Sequence, residues 1–221
     1  ENWRLMMKTL TRRNLGLAAG MATAVALTAA SMIAFTANAA PISGDAAPAF
    51  ADAVTASGET ISLADFADKT VVLEWTNHDC PFVKKHYAEP VKNMQSLQSS
   101  ATADDIVWIQ VISSAPGKQG HLEADAALAK NSERDAAPSY TILDPAGDLG
   151  RAYDAKTTPH MYVIDGAGTL AYQGAIDSIR SAKVSDIAIA TNYVTAALAA
   201  VSSANTPDVT SAAPYGCSVK Y

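Results

Sequence analysis

Cys80 follows the apolar run Val71-Val72-Leu73-Glu74-Trp75 and is itself followed by Pro81 and a helix-compatible stretch. Proline is favoured at the first position of a helix, where its missing N–H would have no partner. That makes Cys80 the expected N-cap, with the amides of Phe82 and Val83 and the positive end of the helix dipole facing its sulfur. Such a setting favours the thiolate, the nucleophilic form of cysteine. Lys84 and Lys85 add positive charge one turn on, and His78 stands two residues before. The chemistry to expect is attack on a disulfide, a sulfenic acid or a peroxide, giving a mixed disulfide or a sulfenic acid on Cys80. The competing reading is an inert packed cysteine, since free cysteine is among the most buried residue types.

A second thiol would complete such a cycle. Cys217 is the only other cysteine, in the stretch Pro214-Tyr215-Gly216-Cys217-Ser218. Sixteen residues separate it from Val201, a span of roughly 50 Å when extended, so a bridge to Cys80 is within reach. Cys217 or an external thiol reductant is therefore expected to resolve the intermediate. Histidines offer an alternative chemistry. His78 and His86 flank Cys80, and His160 follows Pro159. One sulfur with two imidazoles, Cys80 with His78 and His160, is a donor set that suits copper or zinc. That would be a metal-binding or chaperone-like module rather than an enzyme. The thiol reading implies no metal and no cofactor.

The elements that must position these residues follow from patterning. Thr70 to Trp75 and Ile106 to Ile112 are too continuously apolar for half-exposed strands and read as central ones. The helix from Pro81 meets Pro90, which ends or kinks it, and a second helical piece runs from Pro90 to about Gln98. Gly120 to Asn131 is expected helical, with Leu122, Ala126 and Leu128 or Ala129 on one face. Tyr140 to Asp144 is a short strand and Leu149 to Tyr153 a helical turn. His160 to Asp165 and Thr169 to Gly174 flank Gly166-Ala167-Gly168 as a hairpin. Val184 to Val201 is expected as one long helix, followed by a polar tail. The resulting order, β-α-β-α-β-β-α, implies an α/β three-layer sandwich with a central mixed sheet flanked by helices.

These residues resemble the thioredoxin-fold redoxins, the group that includes peroxiredoxins and periplasmic thiol–disulfide reductases. Three features carry the resemblance over residues 45 to 200. They are the strand leading to Cys80-Pro81 at a helix start, Thr157-Thr158-Pro159 before the strand from His160, and the Asp165-Gly166-x-Gly168 hairpin. His78 to Tyr87 and the tail from Pro214 look more closely like a bacterial peroxiredoxin-like subgroup, related to alkyl hydroperoxide reductases and thiol-specific antioxidants. The resemblance implies a thioredoxin-like fold, a cis bond before Pro159, and Thr158 and Pro159 as substrate-positioning residues beside the thiol. Two departures stand out. Val83 holds the place of the second cysteine in Cys-x-x-Cys, while Asn77 and Leu73 stand where a peroxidase motif has threonine and proline. Arg180 is the candidate for the guanidinium such a motif also requires.

The first forty residues read differently from the rest. Lys8, Arg12 and Arg13 precede an uncharged, alanine-rich stretch from Leu15 to Ala37, and Ala37-Asn38-Ala39 has the small-x-small form of a signal-peptidase site. Thr11 to Leu15 resembles a twin-arginine export signal; the alternative for the apolar stretch, just long enough to span, is a single transmembrane anchor. The expected organisation is a signal peptide over 1–40, a redoxin domain over 41–200 and a C-terminal tail over 201–221, in a periplasmic or secreted protein. The leader holds four of the 16 basic residues and one of the 22 acidic ones, leaving 12 and 21 and a formal charge of −9. So acidic a surface argues against nucleic acid as partner. The expected partners are a thiol, disulfide or peroxide substrate and an external thiol, without stable membrane insertion of the mature chain.

Overall fold

A strand that is predominantly apolar on both faces must be covered on both sides, and β-branched runs of this kind build the centre of the molecule. The computed structural model describes residues 40–221. The leader expected over 1–40 falls, but for Ala40, outside them. The elements are β1 (Ala53–Val54), β2 (Thr60–Ile61), β3 (Val71–Trp75), α1 (Pro81–Tyr87), α2 (Asn93–Ala103), β4 (Val107–Ile112), α3 (Ala124–Glu133) and β5 (Tyr140–Leu143). There follow α4 (Asp148–Ala152), β6 (Thr157–Thr158), β7 (His160–Ile164), β8 (Leu170–Gly174), α5 (Tyr193–Ser202), β9 (Ser211–Ala212) and β10 (Cys217–Ser218). Short 3-10 turns cover Leu63–Phe66 and Val184–Ile189.

The main sheet has six strands in the order β5-β4-β3-β7-β8-β9. β3, β4 and β5 run parallel, β7 pairs antiparallel with both β3 and β8, and β9 is parallel to β8. Side chains alternate between faces along each strand. Leu73 and Trp75 join Tyr153 and Tyr162 on one side, where Trp75 and the two tyrosines pack with ring centroids 5.1 to 5.4 Å apart. Val72 and Trp108 join Val83, Met94 and Val194 on the other, under α1, α2 and α5. The architecture is the mixed sheet flanked by helices that the pattern implied, in the thioredoxin-like form that the resemblance implied.

One polar group sits in the middle of this second face. Glu74 is fully buried on β3 and accepts hydrogen bonds from the Tyr87 hydroxyl at 3.0 Å, Gln98 at 2.9 Å and the Trp108 indole at 2.9 Å. A buried carboxylate needs several donors to offset lost hydration. Here those donors come from α1, α2 and β4, so the network fixes α1, and with it Cys80, against the sheet.

Four expectations are corrected. The stretch 184–201 is not one helix: the 3-10 turn stops at Ile189, and α5 starts afresh after Asn192, whose side chain caps it by accepting from the Thr195 amide at 3.0 Å. Ser178 holds Thr191 through two bonds of 3.0 Å, which takes the chain out of helical geometry. α2 begins at Asn93 rather than Pro90, because Lys92 adopts a left-handed conformation before it. α3 begins at Ala124, and its buried residues are Ala127 and Asn131, while Leu128 is exposed. The delay has a cause: Gly120, at φ +88°, abuts the Asn77 side chain, and His121 hydrogen-bonds the Ser114 carbonyl at 2.9 Å. Finally, residues 201–221 are no appendage. β9 extends the main sheet and β10 pairs antiparallel with β6. Among the described residues, no helix is long and apolar enough to cross a membrane.

Candidate active site

Asn77 builds the entry to α1. Its carbonyl accepts from the Cys80 amide at 3.0 Å, and its side-chain oxygen accepts from the Asp79 amide at 2.9 Å, closing the tight turn before the helix. Cys80 is the N-cap and Pro81 the first helical residue, as the spacing implied. The Cys80 side chain is wholly buried. As a thiol it donates to the Thr158 carbonyl at 3.1 Å. The Thr158–Pro159 bond is cis, in agreement with the resemblance.

The second cysteine arrives on the tail. In the β10–β6 pair, Cys217 lies opposite Thr158 and Ser218 opposite Thr157. That register brings the Cys217 amide to 3.3 Å from the Cys80 sulfur. Gly216 makes the approach possible. Its φ is +139°, and a side chain there would fall on the Thr158 carbonyl oxygen. Both cysteines are free.

The two thiols are driven apart electrically. Burial pushes the Cys80 thiol up, but hydrogen bonds from the thiol and amide of Cys217, with smaller ones from the Val83 amide and Thr158, outweigh it and leave the group below its ordinary value. Cys217 goes the other way, to about 11, through burial and through donating its proton toward the Cys80 sulfur. A hydrogen bond to the charged form favours that form. Cys80 is thus the more readily ionised of the two thiols, and Cys217 the less.

The lysines play a different part from the one expected. Lys84 is 62% exposed at its side chain and its ammonium lies 3.9 Å from Asp79. Lys85 points inward: its ammonium, fully buried, donates to Asp177 at 2.9 Å and approaches the Tyr215 hydroxyl at 3.4 Å. Tyr215 in turn donates to Asp177 and sets its ring edge-on to Phe82, centroids 5.8 Å apart. Lysine charge is thus not what lowers the Cys80 pKa; the hydrogen-bond donors are. Arg180 is exposed and neighbours Tyr215.

The histidines do not converge. His78 faces Asp79 at 3.4 Å, and burial lowers its pKa. His160 has Nδ1 3.3 Å from the Lys156 amide, which donates to it, and 3.2 Å from the Tyr162 hydroxyl. Burial depresses His160 to about 3 and His86 to about 4. Among the described residues no three His, Cys, Asp or Glu side chains form a group that could hold a metal, so His78, Cys80 and His160 are not assembled as ligands. A groove of about 770 Å³ between α2 and α5 contains neither cysteine. Sequence reasoning missed Asp177 and Gly216 as parts of this site, and took Lys85 for charge beside the thiol rather than the buried partner of Asp177. The Tyr-Gly-Cys spelling of the tail was the one signal available.

Comparison with known proteins bears on the family and the fold. The family model described as Redoxin matches residues 42–190. A crystal structure of an uncharacterized conserved protein from Geobacillus kaustophilus shares 22% identity and a TM-score of 0.68, covering 83% of this chain and 94% of that one. A hypothetical protein from Sinorhizobium meliloti 1021 has 19% identity and the same TM-score of 0.68, covering 83% and 96%. The thioredoxin domain of a thiol-disulfide oxidoreductase from Bacteroides vulgatus aligns at 16% identity and a TM-score of 0.48, covering 68% and 97%. No curated protein matches the chain in sequence.

Proposed function

The chain belongs to the redoxin family, and from that premise we propose that it is an exported thiol-dependent oxidoreductase in which Cys80 attacks and Cys217 resolves. The observation that carries this is the meeting of the two cysteines across the β10–β6 pair, with the Cys217 amide on the Cys80 sulfur at 3.3 Å. Export rests on the leader pattern of the first forty residues.

The substrate the site favours is a disulfide. The Cys80 thiolate attacks one sulfur, forming a mixed disulfide and expelling the other sulfur as a thiolate, which takes up a proton from solvent. Cys217, losing its proton, then attacks the Cys80 sulfur. The second substrate thiol leaves and a Cys80–Cys217 disulfide remains, so two electrons have passed to substrate. An external thiol attacks the more exposed Cys217 sulfur, with Cys80 departing as the thiolate, and a second external thiol then attacks the resulting mixed disulfide, freeing Cys217 and leaving as the oxidised external disulfide. A low-pKa thiol is the better leaving group, which fits that direction. Thr158 and Pro159 hold the strand edge beside the reacting sulfur, and Pro81 fixes the helix start.

Peroxide reduction is less well served. It would form a Cys80 sulfenic acid and release an alcohol, and condensation with Cys217 would then release water. The Asn77 amide that stands in the threonine slot is committed to Asp79 and to the Gln119 carbonyl, 3.3 Å away. The experiment is to give the reduced protein either oxidised glutathione or a hydroperoxide and map the product by mass spectrometry. The proposal expects a Cys80–Cys217 disulfide, formed faster with the disulfide substrate. Two free thiols after both treatments would overturn it.

A further inference from the structure

The tail does more than deliver Cys217. Its backbone runs antiparallel along Lys156 to Thr158: Cys217 and Ser218 pair with β6, and the Val219 amide donates to the Lys156 carbonyl at 3.0 Å. This is the sheet edge next to the reactive sulfur. An extended polypeptide seeking Cys80 would have to pair with it, since main-chain hydrogen bonds to a free edge are how strands are captured. Here the edge is already taken.

Docking is secured on both sides of Cys217. Upstream, Tyr215 is buried and its hydroxyl is held by Asp177 and Lys85. That ion pair is 0% and 3% exposed at its side chains. Downstream, the Tyr221 hydroxyl donates to the Ala155 carbonyl at 2.8 Å, its ring lies under the Arg151 guanidinium at 4.7 Å, and the Ala115 amide donates to the Lys220 carbonyl at 2.8 Å. Gly216 permits the close crossing over Thr158.

Resting on the reading of Cys80 as the attacking thiol, we propose that the tail strand Tyr215–Ser218 is a specificity element that reserves Cys80 for low-molecular-weight disulfides and excludes polypeptide ones. A small disulfide needs no strand edge, only access to the buried Cys80 sulfur past the half-exposed Cys217. A polypeptide disulfide requires β10 to leave β6 and Tyr215 to leave its buried ion pair. The chemical step is the same for both: Cys80 forms a bond to one substrate sulfur, and the other leaves as a thiol.

The test compares oxidised glutathione with insulin as oxidants of the reduced full chain, reading loss of free Cys80 by peptide mapping. In the wild type glutathione should react faster by about tenfold or more, a barrier difference of ~1.4 kcal/mol. Gly216→Val, which sets a side chain against the Thr158 carbonyl, should raise the insulin rate relative to the glutathione rate by about tenfold, and Tyr215→Phe should raise it less. The ratio cancels any change in thiolate fraction, which affects both oxidants alike. Insulin and glutathione reacting equally with the wild type would overturn the proposal. So would an unchanged ratio in both variants, each shown folded by its melting curve and with the tail released by faster proteolysis after residue 214. A wild-type Cys80 that reacts with neither disulfide and alkylates no faster than a free thiol would instead bring down the reactive-thiol reading, and this proposal with it.

Discussion

The start of α1 and the end of the chain supply one cysteine each to the same spot, by opposite means. Cys80 is placed locally: Asn77 closes the turn, Pro81 opens the helix, and the side chain is sealed among core residues such as Val83 and Met161. Cys217 is placed entirely by contacts 59 to 137 residues away in sequence, through Thr158 and Cys80. Burial alone would raise both thiols. Their difference comes from who donates: Cys217 offers an amide and a thiol to Cys80 and receives nothing equivalent. On the proposed reading the more buried sulfur serves as the nucleophile, because hydrogen-bond donors on the tail, rather than the surrounding lysines, favour its charged form.

The strongest way to break this asymmetry is Cys80→Ser. Cys217 should not take over, because a thiol at about 11 is ionised to only about one part in ten thousand at neutral pH. Loss of Cys80's own sulfur would relax part of that elevation, so the expected fall in the rate of disulfide reaction is roughly a thousandfold. A variant keeping more than a tenth of the activity would reverse the assignment of the two roles.

How much of this was legible beforehand divides along the same line. β3, β4, β5, the hairpin and the Cys80-Pro81 helix start follow from local pattern, since continuous β-branched runs and a proline at the first helical position act within a few residues. What failed is tertiary. Lys85 reads as positive charge near the thiol until Asp177, 92 positions on, draws it into the core. The helix expected through 184–201 breaks because Ser178 holds Thr191. The tail looked polar and separate, but Tyr215 and Gly216 have buried or closely fitted roles that no periodicity announces.

The next effect separates the frame around Cys80 from the tail. His86, on α1, and His160, just after Pro159, are both buried and held neutral, while the tail from 201 to 221 has no histidine. Their folded values, about 4 and about 3, lie below the ordinary 6.5. The unfolded chain therefore takes up protons first. Their contribution is complete above pH 6.5 and is lost as pH falls toward 4 and then 3, on the order of 3 kcal/mol or more for each. Urea midpoints between pH 7 and pH 4 should fall steeply, and His160→Gln should flatten the slope. A flat profile in the wild type would mean that these imidazoles are not buried neutral.

The smallest expected effect is also the sharpest probe of the comparison. Cys217→Ala removes the thiol donor but leaves the backbone amide, which β10–β6 pairing keeps at the Cys80 sulfur. One hydrogen bond to a charged group is lost, about 1.5 kcal/mol, so the Cys80 pKa should rise by about one unit. Measured by alkylation rate against pH, the whole profile should move to higher pH by that amount, because the thiolate now needs a more basic solution to form. Cys217→Ser, whose hydroxyl can donate in the same place, should recover most of the shift, although neither variant can close a disulfide. Gly216→Val, which displaces amide and thiol together, should move the profile further than Cys217→Ala. If the Cys217→Ala profile coincides with that of the wild type, the side chain contributes nothing. The thiolate would then be held by the amides of Cys217 and Val83, making the tail backbone, rather than its cysteine, the activating group.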